Sequence, residues 1–160
     1  MQNLRSIGVH VSIVLLKLAH AARLLLARMT GRSRIHGVRV ILERDRKILL
    51  VRHYHAPWIW CLPGGGIDGD ETLEHASIRE VKEETGLNVH SQELLGTFTD
   101  MSRGDTHLFK CAYFTGTLAP TVRFEIKECK WFKKKFLPKE IFEKDRSHIE
   151  NYLNSSTPRV

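Results

Sequence analysis

Residues Gly65–Leu87 read GGIDGDETLEHASIREVKEETGL, and this stretch decides how the rest of the 160-residue chain is read. From residue 71 to 85 the apolar positions Leu73, Ala76, Ile78 and Val81 recur at helical spacing. On such a helix Glu80, Glu83 and Glu84 stand at i, i+3 and i+4, so their carboxylates share one face. The plainer alternative for such a cluster is a solvated helix face. Without a counter-charge the carboxylates repel one another, which calls for a cation among them. Hard oxygen ligands at this density suit Mg²⁺ or Mn²⁺ rather than zinc. Glu71 and Arg79 are two helical turns apart and pair if Glu71 lies in a loop folded back on the helix start. Gly64, Gly65 and Gly66 open backbone conformations closed to other residues and let main-chain groups approach a ligand or metal. Gly86 fits a left-handed helix C-cap.

Upstream, Val38, Val40 and Leu42 alternate with Arg39, Ile41 and Glu43, which predicts a strand. The Arg44-Asp45-Arg46 turn and Lys47-Ile48-Leu49-Leu50-Val51 complete a hairpin. Downstream strands are predicted at 94–99, 107–115 and 128–132, with a short helix after Pro138 and a last one near 146–153. The fold class is α/β, with one mixed sheet and few helices.

The 23 residues from Gly65 to Leu87 fill every defined position of GX5EX7REUXEEXGU and so resemble the Nudix box. A chance match is on the order of 10⁻⁹ per starting position at ordinary residue usage. Trp60-Cys61-Leu62-Pro63-Gly64-Gly65 resembles the family's usual approach to the box, and Trp131-Phe132 with Leu137-Pro138 resembles its closing strand and helix. The resemblance covers about 35–153. It implies a Nudix-like α/β/α sandwich and hydrolysis of a nucleoside diphosphate linked to another moiety, with Mg²⁺ or Mn²⁺ as cofactor. It further implies metal ligation by Glu80, Glu83, Glu84 and the Gly64 backbone, catalysis by Glu83 or Glu84, and support of the site by Gly65, Glu71, Arg79 and Gly86. In some relatives an acid outside the box acts as ligand or base; Glu125 is the first candidate here and Glu128 the second. Arg52, His53 and Trp58 are candidate substrate contacts, with surface or packing roles as the alternative. Lys133-Lys134-Lys135 reads as a solvated turn or a substrate-facing run.

The formal charge is +7, from 25 Lys and Arg against 18 Asp and Glu. Residues 1–42 hold seven of those bases and no acid, so residues 43–160 carry 18 of each sign and are neutral. The basic excess therefore belongs to a 1–34 segment, an amphipathic helix over residues 3–29 and a linker, set before a 35–160 catalytic domain. Lys17 and Arg23 interrupt its apolar run, which disfavours a simple membrane span. Peripheral membrane contact, packing on the domain or on a second copy, a secretory signal and an organellar presequence all stay open. Cys61, Cys111 and Cys129 are odd in number and widely spaced, which favours free thiols in a cytoplasmic protein over a disulfide framework or zinc site.

The markers of ADP-ribose, diadenosine polyphosphate, coenzyme A and NADH hydrolases are missing, so the resemblance leaves compact enzymes of (deoxy)nucleoside triphosphates in front. Two other classes are kept. The first is removal of 5′-end pyrophosphate from RNA, which the charge partition weakens, so a nucleic-acid partner is not expected. The second is a membrane-tethered module that binds a nucleotide without hydrolysing it, which the full carboxylate set argues against.

Overall fold

The computed structural model describes residues 36–100, 104–122 and 124–155. The helix expected over 3–29 lies outside the described residues. The chain runs through β1 (Gly37–Arg44), β2 (Lys47–His53), α1 (Leu73–Thr85), β3 (Asn88–Asp100), β4 (Gly104–Thr115) and β5 (Ile126–Lys133). A 3₁₀ turn at Lys134–Phe136 and α2 (Glu143–Ser155) complete it. The strands form one five-stranded sheet in the order β3-β4-β1-β2-β5. β1 and β4 are parallel and the other neighbours antiparallel, so the sheet is mixed.

The β1–β2 hairpin turns on Asp45 and Arg46, both at positive φ (52° and 57°), as a two-residue turn matched to strand twist requires. Both faces of β1 are buried. Val38, Val40 and Leu42 join Leu49, Phe109, Ala76 and Val81 in a core under α1. Ile41 joins Ile48, Leu50, Trp60, Leu62, Leu108, Ile149 and Tyr152 in a second core under α2. One strand alternation thus feeds two cores, and the architecture is an α/β/α sandwich.

β1 and β2 pair only beside their turn, at Glu43↔Ile48 and Arg44↔Lys47. Beyond it they part, and residues 60–66 fill the gap. Val38 N donates to the Gly65 carbonyl and Val40 N to that of Pro63, each at 2.9 Å. On the other side Val51 and Cys61 exchange both backbone bonds at 2.9 Å. The glycine loop thereby serves both strands and leaves few buried backbone groups unpaired. Each helix also grips it by a carboxylate: Gly64 N donates to Glu84 of α1 and Leu62 N to Asp145 of α2, both at 2.9 Å.

Several predicted elements are corrected. β3 starts at Asn88, not at 94, because three register irregularities break its alternation. Ile78 is 37% exposed; the buried face of α1 is Ala76, Ser77, Val81, Glu84 and Thr85. The stretch after Pro138 is not helical: it makes a parallel bridge from Ile141 to Trp60 before α2 begins at Glu143. Lys134 of the basic run pairs with Glu43 at 2.7 Å, near the hairpin turn.

Candidate active site

The end of the sheet opposite the hairpin turn gathers the start of β1, the end of β2, the start of β5 and the glycine loop. α1 lays its carboxylates across that edge. Its N-terminus is capped by the Thr72 hydroxyl, which accepts from His75 N at 3.2 Å. Its C-terminus stops at Gly86, whose φ of 81° is left-handed and whose N–H reaches the Lys82 carbonyl at 2.9 Å. The loop after β4 takes up further orphan carbonyls: Ala119 N bonds that of Thr85 and Thr121 N that of Glu83, each at 2.9 Å.

Arg79 ties the helix to the loop before it. Its guanidinium grips Glu71 at two points, 2.6 and 3.1 Å, and donates to the Gly66 carbonyl at 2.9 Å. Its remaining arm meets Glu80 at 2.8 Å and Glu83 at 3.5 Å. The Glu71 hydrogen bonds hold the Arg79 pKa above its ordinary value. Glu80 lies flat under the glycine loop, and a β-carbon on Gly65 would come within 2.5 Å of its Oε1. Burial pushes the Glu80 carboxyl upward despite Arg79.

Glu84 is the most enclosed of the three motif glutamates on α1, only 3% exposed. Burial drives its pKa well above the carboxylate range, and the Gly64 N–H opposes that only in part. Its other oxygen faces His53 Nε2 at 3.5 Å, and His53 Nδ1 stands 4.0 Å from Glu125. Burial, with His55 and Arg39 adding to it, lowers the His53 pKa to about 4, so at neutral pH the ring is uncharged. His53, Glu84 and Glu125 offer ligand atoms all within 4.8 Å of one another. Glu83 is more open, its side chain 41% exposed.

Other candidates are placed differently. Arg52 lies over the Trp60 ring, 4.1 Å from its centre, and 3.9 Å from Glu128, its register partner on β5. Trp58 is 63% exposed and so does not pack in the core. Arg39 and Asp145 carry no signal in the motif. Arg39 Nε stands 3.4 Å from Asp145, beneath the glycine loop. Burial works against the Arg39 charge, yet Asp145, Glu84 and Glu80 together keep its pKa raised. The one sequence sign of this pair is a charged residue in the same strand phase as buried Ile41.

The donor set fits a hard divalent cation. Among the described residues Glu84 has no cation at contact distance, only the uncharged His53 ring with Arg39 attracting it from farther off, and a buried carboxylate in that state is costly unless a metal compensates it. In the glycine loop the Pro63, Gly65 and Gly66 carbonyls are consumed by Val40, Val38 and Arg79. The Gly64 carbonyl has no hydrogen-bond partner among the described residues and is the main-chain oxygen left for a cation.

A sandwich whose central loop and first described helix bring carboxylates to one sheet edge is an arrangement suited to work on phosphoanhydrides. Residues 33–152 match the family described as the NUDIX domain, and the chain belongs to it. An ADP-ribose pyrophosphatase of Methanocaldococcus jannaschii is 33% identical over 118 residues, covering 71% of this chain and 69% of that protein. A Bacillus subtilis protein provisionally named an 8-oxo-dGTP diphosphatase is 30% identical over 118 residues, covering 73% of this chain and 78% of that protein. The crystal structure of a MutT NUDIX hydrolase from Burkholderia pseudomallei has a TM-score of 0.67 and 26% identity, covering 73% of this chain and 96% of that one. This protein is accordingly an enzyme acting on phosphoanhydrides.

Proposed function

We propose that the protein hydrolyses a pyrophosphate bond in a nucleoside diphosphate linked to another group, with Mg²⁺ or Mn²⁺, and that (deoxy)nucleoside triphosphates, oxidised ones included, are its preferred substrates. The observation that supports this reading is the buried Glu84 carboxylate beside the unengaged Gly64 carbonyl, with Glu80 and Glu83 of the same helix gathered at Arg79. These groups hold the cation, which when bound neutralises the pyrophosphate and lowers the pKa of a coordinated water. Arg79, clamped by Glu71, fixes Glu80 against the glycine loop. The Gly64 N–H orients Glu84. Glu83, the most exposed of the three glutamates, accepts the proton released as water attacks phosphorus, and Glu125 is the further acid outside the motif that serves as ligand or base. Arg52 lends positive potential to an arriving anion, and the exposed Trp58 ring offers a stacking surface to a base.

The likeness to the Bacillus protein supports the triphosphate preference, and the likeness to the Methanocaldococcus enzyme supplies its main competitor. The test is release of phosphate and pyrophosphate, with Mg²⁺, from triphosphates, ADP-ribose, nucleotide sugars and 5′-triphosphorylated RNA. Monophosphate and pyrophosphate from the free triphosphates, at least ~10-fold faster than products from ADP-ribose, is the expected result. Equal rates on nucleotide sugars, or faster cleavage of ADP-ribose or RNA, would overturn the preference. Unchanged product release after Glu83→Gln would overturn the assignment of that residue.

A further inference from the structure

We propose that His53 is a nitrogen ligand of the divalent cation, together with Glu84 and Glu125, and that this donor tilts the site from Mg²⁺ toward Mn²⁺. The inference rests on the hydrolase reading above and adds to it the selectivity of the metal site.

Three observations carry it. First, the spacing is wrong for hydrogen bonds and right for a shared ion. His53 Nε2 is 3.5 Å from Glu84 and Nδ1 is 4.0 Å from Glu125, beyond the ~2.7–3.2 Å of N–H···O bonds. Two ligands each ~2.1 Å from one octahedral cation stand about 3.0 Å apart when adjacent and about 4.2 Å when opposite. One ligand atom from each residue, a single imidazole nitrogen included, can be chosen with every separation within 4.8 Å, close enough to that span for small side-chain adjustments to seat one ion among them. Second, His53 Nδ1 is buried and has no hydrogen-bond partner, a state that is costly unless something not yet counted engages it. Third, the backbone aims both flanking ligands. The β2–β5 register shifts between Arg52 and His53, so the imidazole stands where the regular strand pairing breaks. The next residue, Tyr54, then donates to the Glu125 carbonyl at 2.9 Å, locking the two ligand-bearing segments together.

Metal selectivity follows from donor type. Mg²⁺ strongly favours oxygen, whereas first-row transition ions accept imidazole readily, so exchanging an oxygen for a nitrogen favours Mn²⁺.

The test uses the full chain loaded with Mn²⁺ in the absence of nucleotide. Pulsed electron paramagnetic resonance is expected to show ¹⁴N modulation from a directly bound imidazole. The signal should change to the ¹⁵N pattern on uniform [¹⁵N]-histidine labelling, a readout that needs no substitution. His53→Gln should abolish the signal and lower the Mn²⁺-over-Mg²⁺ affinity ratio in calorimetry by about tenfold, since even outer-sphere partners are worth ~10–100-fold in metal affinity. Bound Mn²⁺ without nitrogen modulation, or modulation that survives His53→Gln, overturns the inference while Mg²⁺-dependent hydrolysis leaves the function standing. Failure to bind any divalent ion, with no hydrolysis, overturns both.

Discussion

At Gly64 a β-carbon would lie 2.1 Å from the Val38 carbonyl oxygen, and the backbone φ of +144° is one that side chains rarely adopt. At Gly65 the obstacle is instead the Glu80 carboxylate, the end of a flexible side chain. The two glycines therefore predict opposite phenotypes. Gly64→Ala is expected to cost roughly 3 kcal/mol, on the order of 10 °C in Tm, because strand backbone has to move. Gly65→Ala is expected to cost under ~1 kcal/mol but to lower the metal-dependent rate at least ~10-fold by displacing Glu80. Thermal melts and initial rates of both variants check this. Glu84→Gln separates charge from shape. The amide oxygen still accepts from Gly64, and a buried uncompensated charge is removed, so metal-free stability is expected to hold or rise while the rate falls at least ~100-fold. Part of the motif was legible because its residues are near neighbours in sequence: Glu71 and Arg79 pair as their spacing implied, and Gly86 is the left-handed cap of α1. The company His53 keeps was not legible. It is made by the end of β2 meeting the residue before β5, and nothing in local periodicity encodes that.

Among the elements, α1 and the hairpin were readable from their apolar spacing and end signals, although Ile78 falls outside the buried face and Arg46 takes a positive φ without being glycine. β3 was not. As a half-exposed edge strand with register shifts at Ser91 and between Leu94 and Gly96, it never alternates long enough to declare itself. The extent of α2 was obscured by polar surface positions; it is fixed by tertiary bonds, Asp145 to Leu62 and Tyr152 to Glu43. The N-cap of α1 predicts that Thr72→Ala lowers stability by about 1 kcal/mol in urea unfolding. α2 also carries a pH dependence. Burial lowers the His148 pKa, against the pull of Asp145, and likewise that of His107 on β4. Both rings fold neutral, so below the ordinary value of about 6.5 the unfolded chain binds the extra protons. Their contribution is complete above that value and is lost as pH falls from there toward the lowered folded pKa. His148→Gln is expected to flatten the decline in unfolding free energy between about pH 6.5 and 5.5; an unaltered slope would show that other groups govern it.

For the molecule as a whole, the charge partition separates two roles. Residues 68–84 carry seven acids against two bases, a local −5 inside a portion, 43–160, that is neutral overall. A divalent cation should therefore stabilise the fold directly. Saturation at a hundred times its Kd corresponds to about 2.7 kcal/mol and a clear rise in Tm, which Glu84→Gln should blunt. Removal of residues 1–30 reads out the role of the basic segment: unchanged Tm and turnover are expected if it does not pack on the catalytic domain. If the basic segment serves a membrane surface, the truncated protein should also lose sedimentation with anionic vesicles. The glycine loop has a last consequence. Because it is the mortar between two parted strands and is gripped by a carboxylate from each helix, it cannot swing open as a gate. The amides of Val38, Val40 and Gly64 should exchange hydrogen only when the whole sheet comes apart. A chain that has begun to unravel is then already silent as a catalyst, and new substrate tastes have to be acquired at the rim, where no strand depends on the residues that change.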